Sequence, residues 1–484
     1  MRTCALLLAG LTAGTLLPGQ NGDSETPQRL VRLSVVATDA KGEPVTNLQA
    51  SDIRIREDGK VRTVVFFRYA GVQSLIPALP AGQTVKRPAA PPTVILFDRW
   101  NDRMMTAANA WGDVGEALAA MQSVESVYIY FLTNNGDLFP VHPLPATDSD
   151  LRAMTQPTPA QLRGELDDAV RKLNGLRPID LREDPLFRVD VTFRALEALR
   201  TQMASIGGRK SLIWMTHGFP LTTRVPGTAV DVTDFTVPIR EFSRAAAESQ
   251  IATYTVGESA QGAGQDVGGL VLQALKMFAS LTGGRWYGSN NADPAITSAL
   301  ADGRGNYSVA YYSPYREKDR KEHKIRVDAS EKNVRLLTRE GYFGDAPETD
   351  PDEVEQAAFS SERRSPFDGG EIGLRITFSR DASSSVGHFS IRVNGGDVLL
   401  EKRDGKYKGS VGLMLAFYQN GFLKGHSGVK DVDLDLTQEQ YDQALKDGIS
   451  ITENAVVAAE TDKIRVMVFD PAIRALGSAT ITVK

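Results

Sequence analysis

An unbroken apolar run ends in polar side chains at Pro92-Thr93-Val94-Ile95-Leu96-Phe97-Asp98-Arg99-Trp100-Asn101-Asp102. Continuous Val, Ile, Leu and Phe without alternation is typical of a parallel strand that is covered on both faces. In such sheets, ligands bind outside the carboxyl ends of the strands. Asp98, the first carboxylate after the run, is therefore the first candidate functional residue.

Residues 93–304 alternate strand and helix patterns. The predicted strands after 93–98 are 126–132, 211–216 and 251–256, and the predicted helices are 104–121, 188–206, 238–249, 267–282 and 292–301. Repeated β-α units of this kind indicate a doubly wound parallel sheet. The predicted fold class is therefore α/β.

The flanking segments have β patterning with turn residues between the strands. Segment 28–70 has too few strands to bury a core alone, and we expect strands of 305–345 to complete its sandwich. The α/β unit is then an insertion in a small β-sandwich. Residues 71–92 and 346–370 read as linkers, and 371–484 is predicted to form a second, C-terminal β-sandwich.

The N-terminus has the pattern of a signal peptide, predicted at residues 1–20. The apolar stretch from Cys4 to Leu17 follows Arg2 and is too short to span a bilayer. Export to the periplasm or the medium is expected, and the alternative is an uncleaved N-terminal anchor. Cleavage would remove the only cysteine, so the mature chain would have neither a disulfide nor a thiolate metal ligand.

Composition sets only weak limits on the partners. The 484 residues carry a net charge of −5, which gives no global argument for binding nucleic acid or anionic membranes. No later apolar stretch is long enough to cross a membrane. A protein or surface ligand, with no nucleic acid and no transmembrane segment after signal cleavage, is the expectation.

Several motifs, in this order, resemble a family of exported proteins best known from Acidobacteria, the VWFA-related proteins. The motifs span nearly the whole mature chain and are 39–48 (DAKGEPVTNL), 55–60 (IREDGK), 208–214 (GRKSLIW), 281–285 (LTGGR), 307–312 (YSVAYY), 339–343 (REGYF), 433–437 (DLDLT) and 477–480 (GSAT). The resemblance implies export and a von Willebrand factor A (VWA)-like domain. It implies little about activity, because function in the family is largely undefined and fold does not fix function.

A VWA domain carries a divalent-cation site at the end of its first strand, with an Asp-x-Ser-x-Ser motif. Here those positions read Asp98, Trp100 and Asp102, and Thr192 is the matching threonine from a second loop. His217 stands where the third loop supplies an Asp. The resemblance therefore implies a degenerate metal-ion-dependent adhesion site, with no cofactor or only weak Mg²⁺ or Ca²⁺ binding. The alternative is that these side chains satisfy loop backbone groups.

The same strand end is the predicted ligand-binding surface, through Asp98, Trp100, Asn101 and His217. Trp100 is expected to be exposed there, because aromatic side chains in strand-end loops are frequent interface anchors. The alternative is that Trp100 covers the core of its own loop.

No catalytic motif is present: the sequence lacks a Gly-x-Ser-x-Gly elbow, a phosphate-binding loop and a His-Glu-x-x-His motif. The predicted function is therefore non-enzymatic. One hypothesis is an exported interaction protein that binds a protein or surface ligand. The other is a structural scaffold component of a secreted or envelope assembly.

Overall fold

The structure is a computed structural model that describes residues 29–70, 83–84, 91–101, 118, 124, 126–175, 184–224, 232–257, 265–288, 293–315, 319, 321–344, 350–380 and 385–483. The predicted signal peptide lies outside the described residues. So does the predicted helix 104–121, apart from Leu118. No helix in the described ranges is both long enough and apolar enough to cross a bilayer.

The strands cover most of the regular structure. In chain order they are β1 (Arg29–Thr38), β2 (Ile53–Glu57), β3 (Lys60–Arg62), β4 (Val64–Tyr69), β5 (Gln83–Thr84), β6 (Thr93–Asp98), β7 (Val127–Leu132), β8 (Leu138–His142), β9 (Lys210–Met215), β10 (Thr222–Arg224), β11 (Val232–Asp234), β12 (Ile251–Val256), β13 (Trp286–Tyr287), β14 (Asn306–Ser313), β15 (Glu322–Ala329), β16 (Arg335–Leu337), β17 (Gly341–Phe343), β18 (Leu374–Arg380), β19 (Val386–Val393), β20 (Glu401–Arg403), β21 (Lys406–Gln419), β22 (Phe422–His426), β23 (Lys430–Leu436), β24 (Ile449–Val456), β25 (Lys463–Asp470) and β26 (Ala475–Thr482).

The helices fall mainly between residues 148 and 304. Those described are α1 (Asp148–Ala153), α2 (Pro159–Leu173), α3 (Pro185–Ala204), α4 (Thr236–Glu248), α5 (Gln265–Thr282), α6 (Asp293–Arg304), α7 (Pro351–Glu362) and α8 (Gln438–Asp447).

The predicted fold class, a doubly wound VWA-like α/β fold, is wrong. In the described part of the chain the strands form six sheets, and only the sheet β13-β12-β9-β6-β7-β8 contains parallel pairs. That sheet is itself mixed, because β8 returns antiparallel to β7 after a short turn. The chain is mostly β, since antiparallel strands before residue 93 and after residue 304 outnumber those between. Local strand-helix alternation in 93–304 dominated the prediction, whereas long-range antiparallel pairing dominates the fold.

The mixed sheet positions the predicted site. All six residues of β6, β7, β9 and β12 are buried, and apolar side chains fill separate clusters on the two faces of the sheet. Strand β6 lies at the centre, parallel to β7 on one side and β9 on the other. The carboxyl ends of these strands therefore meet at one edge, with Asp98 in the middle.

The strands before and after this sheet pair with one another. Strand β1 pairs with β14 from Arg29–Ser313 to Val36–Asn306, and β2 pairs with β15. The sheets β16-β1-β14-β4 and β17-β15-β2-β3 enclose one apolar cluster that draws on both. Segment 28–70 and segment 305–345 therefore share one sandwich core.

The C-terminal strands form two further sheets around a second core, β18-β19-β24 and a seven-stranded sheet built on β21, β25 and β26. Two segments predicted as linkers contribute to this part. Strand β5, from 71–92, pairs with β26, and helix α7, from 346–370, covers β25. Neither segment has a long apolar run, so the sequence analysis did not predict these contacts.

Buried ion pairs join the first sandwich to the C-terminal part. Arg32 on β1 pairs with Glu371, and Arg68 on β4 pairs with Asp397 at 3.0 Å. Arg32 also donates to the carbonyl of Ile473 at 3.0 Å. These contacts fix the two β units against each other.

Candidate functional site

Asp98 ends β6 and is only 1% exposed. Its neighbours are set by strand register: Leu96 pairs with Trp214 and Phe97 with Met215 on β9. Continuing that register by one residue places Thr216 beside Asp98. Strand β9 therefore closes in the end of β6 at Asp98.

The Asp98 carboxylate accepts four hydrogen bonds from internal donors. Its Oδ1 accepts the backbone N–H of Asn101 at 3.0 Å. Its Oδ2 accepts Asn101 Nδ2 at 2.7 Å, Trp214 Nε1 at 3.0 Å and Thr216 Oγ1 at 2.7 Å. Burial raises the pKa of Asp98 above its usual value, and these donors act in the opposite direction by stabilising the ionised form.

Thr192 on α3 completes the group. It is fully buried, accepts Asn101 Nδ2 at 2.8 Å and donates to the carbonyl of Arg188 at 2.9 Å. We name the five residues Asp98, Asn101, Thr192, Trp214 and Thr216 the Asp98 cluster. Three of the predicted site residues, Asp98, Asn101 and Thr192, lie in contact here. The sequence analysis did not include Trp214 and Thr216; their spacing of two residues at the end of β9, which puts both side chains on one face of the strand, was the available signal.

The expected exposed position of Trp100 is wrong. Trp100 is 0% exposed, donates from Nε1 to the carbonyl of Arg188 at 2.9 Å, and meets Phe187 edge-on with ring centroids 6.0 Å apart. The loop after β6 folds back on α3, because burying the indole while satisfying its N–H stabilises this arrangement. Trp100 therefore covers the core of its own loop.

Of the two remaining predicted site residues, only His217 is described, and it is not part of the cluster. His217 follows Thr216 and is partly exposed, but the side chain that reaches Asp98 from this loop is that of Thr216. Asp102 lies outside the described residues. Asp98, Trp100 and Asn101 are at most 5% exposed, so a macromolecular ligand could not contact them in this conformation.

The Asp98 cluster does not fit a hard divalent cation. A cation near Asp98 Oδ2 would meet the hydrogens of Asn101 Nδ2, Trp214 Nε1 and Thr216 Oγ1, which already point at that oxygen. Mg²⁺ and Ca²⁺ need several free oxygen ligands. Within the described residues, no group of three His, Cys, Asp or Glu side chains is arranged to hold a metal ion.

A second candidate lies between the mixed sheet and the C-terminal part. A cavity of about 440 Å³ is bounded by residues 146–149 before and within α1, by residues 363–365 after α7, and by the start of β22. Asn420 and Gly421, both at positive φ, form the two-residue turn of the β21–β22 hairpin. Directly after that turn, Phe422 is 70% exposed and Leu423 is 41% exposed.

The walls of this cavity are rich in cations. Its lining includes Arg363, Arg364, Lys463 and Arg465, against the single carboxylate of Asp148. Lys463 lies 4.0 Å from Asp148. We name this cavity, with the exposed side chains of Phe422 and Leu423, the basic groove.

Arg465 holds the floor of the basic groove. Its Nη1 donates to the carbonyls of Glu362 at 2.6 Å and Ser365 at 2.9 Å, and its Nε lies 3.0 Å from Asp368. Tyr418 donates to the carbonyl of Arg363 at 2.8 Å. These contacts satisfy carbonyls at the end of α7 that the helix leaves unpaired, and they fix the backbone that carries Arg363 and Arg364.

No protein-family model matches the chain, and no curated protein matches it. Among solved structures, it is similar to proximal thread matrix protein 1 from the mussel byssus (12% identity, 48% of this chain and 50% of that chain, TM-score 0.26). It is also similar to the pilus adhesin SpaC from Lactobacillus rhamnosus GG (8% identity, 91% and 57%, TM-score 0.30) and to the human COPII-coat protein Sec24c (9%, 82% and 44%, TM-score 0.23). The chain thus spans about half the length of these proteins, and likenesses this low carry no inference about its fold or function.

Proposed function

We propose that this chain is an exported, non-enzymatic interaction protein whose ligand contacts are made at the basic groove and not at the Asp98 cluster. The observation that carries the proposal is the closure of the strand end: Asp98, Trp100 and Asn101 are buried, and the Asp98 oxygens are occupied by internal donors. Within the described residues, the basic groove is an exposed concavity that combines apolar side chains with an excess of cations. Export rests on the apolar stretch from Cys4 to Leu17, and kinship with the VWFA-related family rests on the motifs described above.

Capture of a partner from the native periplasm or culture fluid tests where the contacts are made. We expect a partner retained by the immobilised wild-type protein to be retained equally by Asp98→Asn. The double variant Phe422→Ser/Leu423→Ser should retain at least about fivefold less of the partner, because it removes the exposed apolar side chains of the groove. Val456→Ser is the matched control, since Val456 is also 70% exposed but lies on β24 outside the groove.

The opposite pattern, in which Asp98→Asn loses the partner while the double variant keeps it, places the contacts at the strand end and overturns the proposal. A wild-type protein that retains nothing above a blank surface also counts against it. Circular dichroism of each variant confirms that retention is compared between folded proteins.

The second candidate function is a structural component of a secreted or envelope assembly. The buried pairs Arg32–Glu371 and Arg68–Asp397 favour it, because they hold the β units in one fixed arrangement that suits a scaffold. A scaffold with contacts spread over its sandwiches should keep its partner in both the Asp98 and the groove variants. The capture experiment therefore separates the two functions.

A further inference from the structure

We infer that the basic groove binds an extended acidic peptide segment that places a large apolar side chain beside one or two carboxylates. This inference rests on the proposed function and names the class of ligand. It is carried by the charge of the groove, by two arginines that form no ion pair with a described residue, and by the apolar side chains at the rim.

The ion pairs between described residues do not balance the charge of the groove. Arg465 is neutralised by Asp368 at 3.0 Å, and Lys463 faces Asp148 at 4.0 Å. Arg363 and Arg364 form no ion pair with any residue that the structure describes. The two guanidinium groups that remain can each bind a carboxylate with paired N–H donors.

Arg363 lines the groove and is partly buried. Its Nε is buried and has no hydrogen-bond partner in the described ranges. Because Nε is closed to solvent, a ligand carboxylate would meet Arg363 through its terminal guanidinium nitrogens. Arg364 is exposed, and within the described part of the chain its side chain donates to Ser360 Oγ at 3.2 Å and to no other residue, which leaves its remaining N–H groups for the ligand.

The apolar requirement comes from the hairpin. Phe422 and Leu423 are consecutive exposed apolar residues directly after a tight turn. A single exposed apolar residue is common on protein surfaces, but two of them beside a concavity indicate a contact surface. The hairpin tip also rests against the mixed-sheet part, since a Cβ on Gly421 would lie 3.2 Å from Arg152 Nη2. The tip is therefore supported on one side while its aromatic ring is presented to solvent.

An extended peptide suits this shape better than a small ion. A volume of about 440 Å³ accommodates a few residues of chain. Strand β22 pairs with β21 and, within the described residues, with no other strand, so its outer edge offers backbone groups to an extended segment.

Fluorescence anisotropy with synthetic peptides tests the inference on the full mature chain. The probe is a labelled hexapeptide in which two glutamates on each side flank a Phe-Leu pair. The comparison peptides replace the glutamates by lysines, or the Phe-Leu pair by Ser-Ser. We expect the acidic apolar probe to bind with a Kd of about 10–100 µM, and both comparison peptides to bind at least about tenfold more weakly.

The variants locate the binding. The double variant Arg363→Gln/Arg364→Gln and the variant Phe422→Ser should each raise the Kd of the probe at least about fivefold. The affinity of the wild type should fall as NaCl is raised from about 50 to about 300 mM, because salt screens partly exposed charges. The matched controls are Arg326→Gln and Val456→Ser, which should bind as the wild type does. The Arg326 side chain is 76% exposed and lies on β15, outside the groove lining, and Val456 is 70% exposed.

Equal binding of the lysine peptide, no binding of the acidic probe up to about 1 mM, or equal weakening by the control variants would each overturn the inference. These results are distinguishable from failure of the proposed function. If the probe does not bind but Phe422→Ser/Leu423→Ser still loses the native partner, the ligand class is wrong and the groove remains the contact surface. If the double variant keeps the native partner, the proposed function fails whatever the peptide does.

Discussion

Replacing Asp98 by Ala is expected to lower the free energy of unfolding by about 3–5 kcal/mol, because it leaves several buried donors without an acceptor. Trp214 Nε1, Thr216 Oγ1 and both nitrogens of Asn101 would lose their bonds to one carboxylate. No rearrangement of solvent can replace them, since Asp98 is 1% exposed. Urea denaturation followed by tryptophan fluorescence measures the loss, since all four tryptophans lie between residues 100 and 286.

Asp98→Asn gives a graded comparison. The amide oxygen can still accept the donors at Oδ2, but its NH₂ group would face the backbone N–H of Asn101, so we expect a loss of about 1–3 kcal/mol. Asp190→Ala is the control, because the Asp190 side chain is 63% exposed and forms a surface ion pair with Arg194 on the same helix. Wild-type stability in Asp98→Ala would show that the carboxylate is not part of the packing and would reopen a ligand role.

Arg465→Met is expected to destabilise the C-terminal part by about 3–5 kcal/mol, since it leaves buried carboxylates and carbonyls without their cation. Arg465 is 5% exposed, lies 3.0 Å from Asp368 and 3.8 Å from Glu362, and donates to two carbonyls at the end of α7. Far-UV circular dichroism during denaturation measures the loss. Arg326→Met, which removes an exposed arginine, should leave the unfolding midpoint unchanged.

The effect of Arg465→Met should also depend on pH. Burial raises the pKa of Glu362 to about 7, although Arg465 acts to lower it. A folded-state pKa above the unfolded value means that stability is fully present below the unfolded pKa, near 4.5, and is lost as pH rises through about 7. Without Arg465 the ionised form of Glu362 is less favourable still. We therefore expect a larger deficit at pH 8 than at pH 5, and partial rescue at pH 8 by adding Glu362→Gln. If the loss of stability is the same at pH 5 and pH 8 and Glu362→Gln gives no rescue, ionised Glu362 is not its cause.

The local elements of the mixed sheet were predictable because their signals are local. The apolar runs at β6, β7, β9 and β12 predicted buried strands, and β12 was predicted with the bounds that the structure has. The fold class was not predictable in the same way. It depends on pairings such as β1 with β14, which join residues 270 or more positions apart and leave only alternation in the sequence.

The Asp98 cluster shows the same division. Asp98 and Asn101 are three residues apart, and their contact follows from the loop that ends β6. Trp214 and Thr216 reach Asp98 only through the register between β6 and β9, which no motif encodes. Trp100 was misplaced because an aromatic residue in a polar loop has the same local pattern whether it is exposed or folded back on α3.

Calorimetric titration of Mg²⁺, Mn²⁺ and Ca²⁺ into the mature protein tests most directly whether the Asp98 cluster is a structural network. We predict no heat beyond dilution up to about 1 mM cation, because Asp98 Oδ2 already accepts three N–H and O–H donors and Oδ1 accepts a fourth, whereas Mg²⁺ and Ca²⁺ need several free oxygen ligands. Asp98→Asn, the milder variant, should give the same flat titration. Micromolar binding of any of these ions by the wild type that is abolished in Asp98→Asn would contradict the account and make the strand end a functional cation site.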